Sequence, residues 1–398
     1  MEFYHDILEN LLDKLIDYRG KTPKKTLSGV PLVTAKIVKN GTINGYTEYI
    51  AEEDYDKWMV RGFPKVGDVI LTTEAPLGEV ALLKEEKVAL AQRIVCLRGK
   101  DNVLDNTYLK YYLQSGKGQK SLSARESGTT VTGIKQAELR RVDIEYPAYD
   151  DQRRIASILS SLDRKIELNN KINADLEEMA QAIFKNWFVD FEPFKDGKFV
   201  DSELGMIPGG WKVGTLGDIT KNKSAKVKER NDVKVLSPVT TGELVLSEEY
   251  FTKQVFSSSI AKYKIVNKGD FAYNPARVNI GSLGRNEFDF DGCVSPVYVV
   301  FSVLDGYENY FDLFRKTDFF KDSVASLAIG GVRQSLSYDD LSLIETIIPS
   351  ENVVEKFNNL YNQMKKTIKA NKLENSRLSL LRDTLLPRLM SGELEVPE

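Results

Sequence analysis

The sequence predicts an α+β chain: two pseudo-repeated mixed α/β globules separated by an antiparallel two-helix coiled coil. Three observations carry this expectation. Landmarks recur at an offset of 202 residues, so that Gly67-Asp68 in "KVGDVILTT" is matched by Gly269-Asp270 in "NKGDFAYNP". Each copy ends in a long 3-4 pattern of apolar residues without internal glycine. The stretch before each pattern consists of short β-like runs with turn residues between them.

The elements follow in order. Residues 1–149 form the first globule, with strand candidates in "GVPLVTAKIV", "GDVILTT", "GEVALL" and "RIVCL". Its opening, "MEFYHDILENLLDKL", is acidic and amphipathic and is expected to be mobile, unlike a signal peptide. Residues 150–190 form a spacer helix whose seam is Ile155, Ile158, Leu162, Ile172, Leu176, Met179 and Ile183. Residues 191–350 hold a linker without periodicity (191–210) and the second globule, with strand candidates in "VKVLSPV" and "CVSPVYVVF". Residues 351–398 form a second spacer helix with Phe357, Leu360, Met364, Leu378, Leu381 and Leu385 on its seam. That helix is expected to leave the coiled coil at Pro387, and Leu389 and Met390 beyond it to cover a partner or the first globule.

The repeat extends through the end of each globule. Residues 127–147 match 329–349 without a gap, pairing Gly128 with Gly330, Ile134 with Leu336, Leu139 with Leu341 and Pro147 with Pro349. Asn169 and Asn371 occupy the same seam position in the two helices. An asparagine in an apolar seam lowers stability but fixes register, and in an antiparallel pair these two are expected to meet near mid-helix.

Composition narrows the function classes. The chain has 398 residues and a formal net charge of −3, so a nucleic-acid reading must rest on local charge. His5 is the only histidine, which excludes most imidazole chemistry. Cys96 and Cys293 are too few and too far apart for a disulfide framework or a zinc site, and no metal ligands are assigned. No apolar run is long enough for a membrane span, so no membrane partner and a cytoplasmic location are expected.

Three apparent catalytic motifs fail on their surroundings. Tyr273-Asn274-Pro275 resembles half of a methyltransferase's base clamp, but Ala276 and Arg277 stand where a second proline and a stacking aromatic are needed. No glycine-rich strand-to-helix turn for S-adenosylmethionine accompanies it. Asp68 with Glu85-Glu86-Lys87 mimics a nuclease pattern that the second copy does not reproduce. "SGKGQKS" (115–121) lacks the spacing of a phosphate loop. No catalytic residue is assigned.

Two similar globules at the ends of a stiff spacer act as a ruler. Readers at fixed separation demand half-sites at fixed spacing, and two diverged readers in one chain imply unlike half-sites. Two basic loops suit phosphate and base-edge contacts: "KGQKSLSARESGTTVTGIK" (117–135) and "KNKSAKVKER" (221–230). From them come the candidates Lys117, Lys120, Arg125, Thr129, Thr130 and Lys135, and Lys221, Lys223, Lys226 and Lys228. Other candidates are Arg19, Lys21 and Lys36 in the first globule and Asn274, Arg277, Asn279, Arg285, Arg333 and Gln334 in the second. Arg277 suits guanine and Asn279 adenine.

Several passages resemble the specificity (S) subunit of type I restriction–modification systems. They are "PAYDDQRRIASILSSLDRKIELNNKINADLEEMAQAIFKNWF", "DSELGMIPGGWKVGTLGDI", "FAYNPARVNIGSLGRN…VSPVYVVF" and "LLPRLMSGELEV". The resemblance implies two target recognition domains, residues 1–149 and the globule within 191–350, each reading one part of a bipartite DNA site. It implies that the two helices dock two modification subunits, which bind S-adenosylmethionine and methylate adenine. It further implies restriction subunits that use ATP and Mg²⁺, with no cofactor on this chain and no chemistry of its own. The first globule's "TTEAPLGEV" departs from the second's "YNPARVNIGS", which puts the first domain's loop geometry in question. Two rival readings are a self-contained methyltransferase or nuclease with degenerate motifs, and a coiled-coil scaffold that binds protein only.

Overall fold

The computed structural model describes residues 1–18, 20–128, 132–327 and 335–396. Arg19, Thr129, Thr130, Arg333 and Gln334, and the landmark Gly330, lie outside the described residues. The chain divides into two units: Met1–Lys171 with Asn371–Glu398, and Ile172–Ala370.

In the first unit a four-stranded sheet runs in the order Leu12–Asp17, Ile94–Gly99, Val69–Thr73, Leu77–Leu82, with every neighbour antiparallel. Val69–Thr73 is buried along its whole length, which explains why Val69, Ile70 and Leu71 follow one another without polar alternation. Alternate residues feed two cores. Val69 and Leu71 pack with Tyr108, Leu109 and Leu113 of the helix Asn106–Gln114. Ile70 packs with Val30 and Leu32 of a second sheet, in which Val30–Val33 runs parallel to Ala89–Leu90. The opening segment is not a mobile arm. Phe3–Ile7 is a strand paired with Asp143–Pro147, and His5 stands opposite Glu145.

The second unit repeats the first sheet. Its order is Thr220–Lys223, Val299–Val303, Phe271–Tyr273, Leu283–Arg285, so both sheets place their strands 1-4-2-3. The helices Asn106–Gln114, Gly116–Ser123 and Gln136–Arg140 recur as Glu308–Phe314, Asp318–Leu327 and Tyr338–Ser342, each starting 202 residues later. The Gly-Asp landmarks are turns. Gly67 and Gly269 take φ of 87° and 89°, a conformation glycine adopts at little steric cost. Asp68 and Asp270 then accept from the N–H three residues earlier, Lys65 at 2.8 Å and Asn267 at 2.9 Å.

The linker is folded into the second unit. Phe199–Val200 pairs with Ile207–Pro208, and the rings of Phe191 and Phe194 meet Trp211 edge-on. The short apolar contacts of this stretch carry no period, which hid them from a reading based on periodicity.

The long helices are Tyr149–Phe188 and Glu351–Ser391. In the first unit Asp163 accepts from Arg382 at 2.8 Å and Lys165 pairs with Glu374 at 3.3 Å. In the second, the rings of Phe184, Trp187 and Phe188 surround Phe357. In the first unit higher numbers on one helix meet lower numbers on the other, from Asp163 with Arg382 to Asn170 with Asn375, so the packing there is antiparallel.

The seam differs in detail from the expected one. Met179, Leu360 and Leu381 are exposed, while Ala180, Tyr361 and Arg382 beside them take the inward positions. Reading a seam by apolarity alone fails where polar residues hold core positions. Asn169, fully buried, donates to Glu374 at 2.7 Å and Asn375 at 2.9 Å, one turn beyond Asn371. Asn375 in turn donates to Asn170 at 2.8 Å. In an antiparallel pair the opposite position is set by register, and repeat counterparts need not coincide. Asn375 is the counterpart of Asn173, which is also buried. The second helix runs on through Pro387 to Ser391. Leu389 and Met390, buried in the core of the first unit, offset the hydrogen bond that proline cannot donate.

Candidate nucleic-acid interface

In the first unit one loop closes against a hairpin. Ser127 and Gly133 exchange backbone hydrogen bonds at 2.8 and 3.0 Å. Ile134 N–H then donates to Thr73 O at 3.0 Å, which ties this loop to the end of the strand Val69–Thr73. The second unit repeats the tie at the expected offset: Leu336 N–H donates to Pro275 O at 3.2 Å. The loop end and the hairpin after the central strand are therefore joined in both copies.

Beside the first tie lies a cavity of about 360 Å³, lined by Ala75, Pro76, Leu77, Gln119, Ser123, Glu126 and Thr132. Gln119 holds the helix Gly116–Ser123 to the hairpin, donating to Gly78 O at 2.8 Å and Leu113 O at 2.7 Å. Ser115 caps that helix by accepting from Gly118 N–H at 3.2 Å, so "SGKGQKS" is a helix start. Periodicity did not mark Gln119 or the cavity. Their signal was the interleaving of glutamine, serine and threonine with lysine in 117–135.

The sequence-derived cations fall into two groups. Lys21, Lys36, Lys120, Lys135, Lys221, Lys226, Lys228 and Arg277 are exposed, with no ion pair among the described residues. The others have protein partners. Lys117 pairs with Glu145 at 2.6 Å, and Arg125 with Asp143 at 3.2 Å. Lys223 donates to both oxygens of Asp270, at 2.7 and 2.9 Å. Burial pushes the Asp270 carboxyl up from its ordinary value, and Lys223 opposes that shift. Half-buried Arg285 donates to Asn309 at 2.9 Å, and its guanidinium lies over the Phe271 ring.

The Tyr273-Asn274-Pro275 stretch opens a turn. Tyr273 is fully buried and its hydroxyl donates to Leu336 O at 3.2 Å, so the ring cannot stack on an extruded base. Asn274 Oδ1 accepts from Ala276 N–H at 3.1 Å, the signature of an Asx turn. Exposed Arg277 follows, then the 3-10 turn Val278–Ile280, which contains exposed Asn279. Gly281, at φ 94°, ends it, and a Cβ there would meet Thr240 O at 2.7 Å. Asp68 likewise offers no open metal site. It accepts from Lys65 N–H, from Arg98 Nε at 2.8 Å and from Arg98 Nη2 at 2.7 Å, while Glu85 accepts from Tyr46 at 2.6 Å.

Known proteins match this arrangement. Residues 13–178 match the family model of the type I restriction modification DNA specificity domain. The MjaIX specificity subunit of Methanocaldococcus jannaschii is 29% identical, over 95% of this chain and 91% of its own length. The HindI specificity subunit of Haemophilus influenzae is 26% identical, over 69% of this chain and 74% of its own. The solved type I restriction–modification S subunit from M. genitalium superimposes with a TM-score of 0.60 at 17% identity, covering 100% of this chain and 97% of that one. The chain is therefore similar to the specificity subunits of type I restriction–modification enzymes over nearly its whole length.

Proposed function

We propose that this chain is the DNA-reading subunit of a type I restriction–modification complex and carries no catalytic site of its own. Each unit reads one part of an asymmetric bipartite site, and the reaction chemistry belongs to partner subunits. The observation that carries this reading is the repeated frame with unrepeated edges. Sheet order and hairpin tie recur, while the exposed side chains around the tie differ between copies.

Lys120 and Lys135 in one unit, and Lys221, Lys226 and Lys228 in the other, are assigned to phosphate contacts. Arg277 is assigned to a base edge, in bidentate contact with guanine, and Asn279 to an adenine. Exposed Leu168, Leu373, Leu380 and Leu381 on the helices of the first unit, and Met179 and Leu360 in the second, are apolar surface suited to two modification subunits. Those subunits would bind S-adenosylmethionine, and restriction subunits would use ATP and Mg²⁺. Among the described residues no helix is long and apolar enough to cross a membrane.

The test is selection of duplexes from a random pool by this chain together with its modification subunits. The expected result is one enriched motif of two unlike parts at a fixed gap, with binding that falls steeply as salt rises. Absence of any enriched motif overturns the reading. Calorimetry of the chain alone with S-adenosylmethionine is expected to give no heat of binding, and tight binding would instead assign it methyltransferase chemistry.

A further inference from the structure

We propose that charges on the long helices form a pairing code, which makes the two halves of this chain bind each other in preference to a second copy of themselves. The code is visible when two buried clusters are compared at the repeat offset, and it needs no assumption about what the globules bind.

In the first unit Lys110, 6% exposed, donates to Asp163 Oδ2 at 2.8 Å. Tyr111 donates to the same oxygen at 2.5 Å, and Arg382, from the other long helix, to Oδ1 at 2.8 Å. The offset of 202 residues carries Lys110 onto Asp312 and Asp163 onto Lys365. In the second unit these two also face each other, at 3.8 Å. Arg315 donates to Asp312 Oδ1 at 2.9 and 2.6 Å and Tyr361 to Oδ2 at 3.3 Å, while Lys365 also pairs with Glu287. Globule and helix have exchanged charge between the copies. The third member has not followed: the counterpart of Arg382 is Ala180, which is buried.

This asymmetry decides which helices fit together. Within the chain Arg382 meets Asp163, and Glu374 meets Lys165. If two second halves paired in the same register, Arg382 would face Lys365 of the other copy, and Glu374 would face Thr367. If two first halves paired, Asp163 would face Ala180, and Lys165 would face Ile172. Either like-with-like pairing loses both ion pairs, and one of them adds a repulsion. The buried pair Asn169 and Asn375 makes no such distinction, because Asn375 has Asn173 as its counterpart and Asn169 has Asn371. Asparagines thus set register, and charges set the partner.

The test is self-association of the full chain, followed by light scattering and sedimentation over a range of concentrations. The Arg382→Glu chain puts a carboxylate against Asp163 in its own fold and a matching one against Lys365 of a second copy. It is expected to dimerise at least about tenfold more tightly than the wild type. Adding Lys365→Ala to that chain is expected to abolish the gain. The idea is overturned if Arg382→Glu associates no more tightly than the wild type. It is equally overturned if the gain survives Lys365→Ala, since opened helices would then be merely adhesive. Should Arg382→Glu not fold, Arg382→Ala decides the matter: a smaller gain supports the code, and none refutes it.

Discussion

The two units share a frame and differ at its edges, and the position of Arg277 shows how. Counted from the Gly-Asp turn, its counterpart is Ala75, and that of Asn279 is Leu77. The second unit presents an exposed guanidinium after its central strand. The first has a cavity walled by Ala75, Pro76 and Leu77 there. The backbone tie behind both is the same, from Ile134 to Thr73 and from Leu336 to Pro275. Hydrogen bonds between main-chain atoms survive side-chain change, so a duplicated frame can hold two unlike readers.

The sharpest way to break this comparison lies in two carboxylates, buried Asp312 and half-buried Asp163. Asp312 sits among Arg315, Lys365 and Tyr361 with its side chain 6% exposed, whereas that of Asp163 is 26% exposed. Asp312→Ala strands buried cations and should cost about 3–5 kcal/mol of unfolding free energy. Asp163→Ala should cost less, about 1–3 kcal/mol. Denaturant titration measures both, and the reverse order would contradict the assignment of the tighter cluster to the second unit.

A smaller effect is expected at the reading edge. Arg277→Ala should cost about 1–3 kcal/mol and relax one base in one part of the recognised motif, leaving the other part unchanged. Relaxation in both parts, or in neither, would show that the turn does not read a base. Lys120→Ala should instead weaken all sequences alike and lower the slope of log affinity against log salt by about 1.

Acid should act on both carboxylates. Burial pushes each up, but Lys110, Tyr111 and Arg382 hold Asp163 below the ordinary carboxylate range, and Arg315 and Lys365 hold Asp312 well below it. A depressed folded value means the stability they supply is complete above about pH 4 and lost as pH falls through the lower folded values. The stability gap between wild type and Asp312→Asn should therefore narrow on acidification below that range. The least effect concerns the thiols. Burial raises Cys96 well above its ordinary value and pushes Cys293 up to about 11. Neither should be alkylated at neutral pH in the folded chain, and mass spectrometry would detect the contrary.

Much of the frame was legible because it obeys a period or an offset. The Gly-Asp turns, the strand Val69–Thr73 and the two long helices are of this kind. Less was legible where polar residues occupy apolar positions. Leu360 and Leu381 read as core by type, yet Tyr361 and Arg382 face inward because Asp312 and Asp163 wait there to be paired. Asn169 was recognisable as a register residue, but its opposite number depends on where the helices start, which no single-helix pattern states. The charge exchange between Lys110–Asp163 and Asp312–Lys365 was present in the offset, and only proximity gives it meaning. Of the candidate cations, Lys223 and Arg285 look like surface residues in sequence, and Asp270 and Asn309 become their neighbours through tertiary folding.

The central claim, that two unlike readers in one chain each specify one part of a DNA site, is tested most directly by mapping methylated adenines in DNA from cells that carry this chain with its modification partner. The account predicts one chain-dependent motif whose two parts differ and are separated by a constant number of unspecified bases. A contiguous motif, a palindrome of identical parts, or a methylation pattern unchanged when this chain is removed would contradict it.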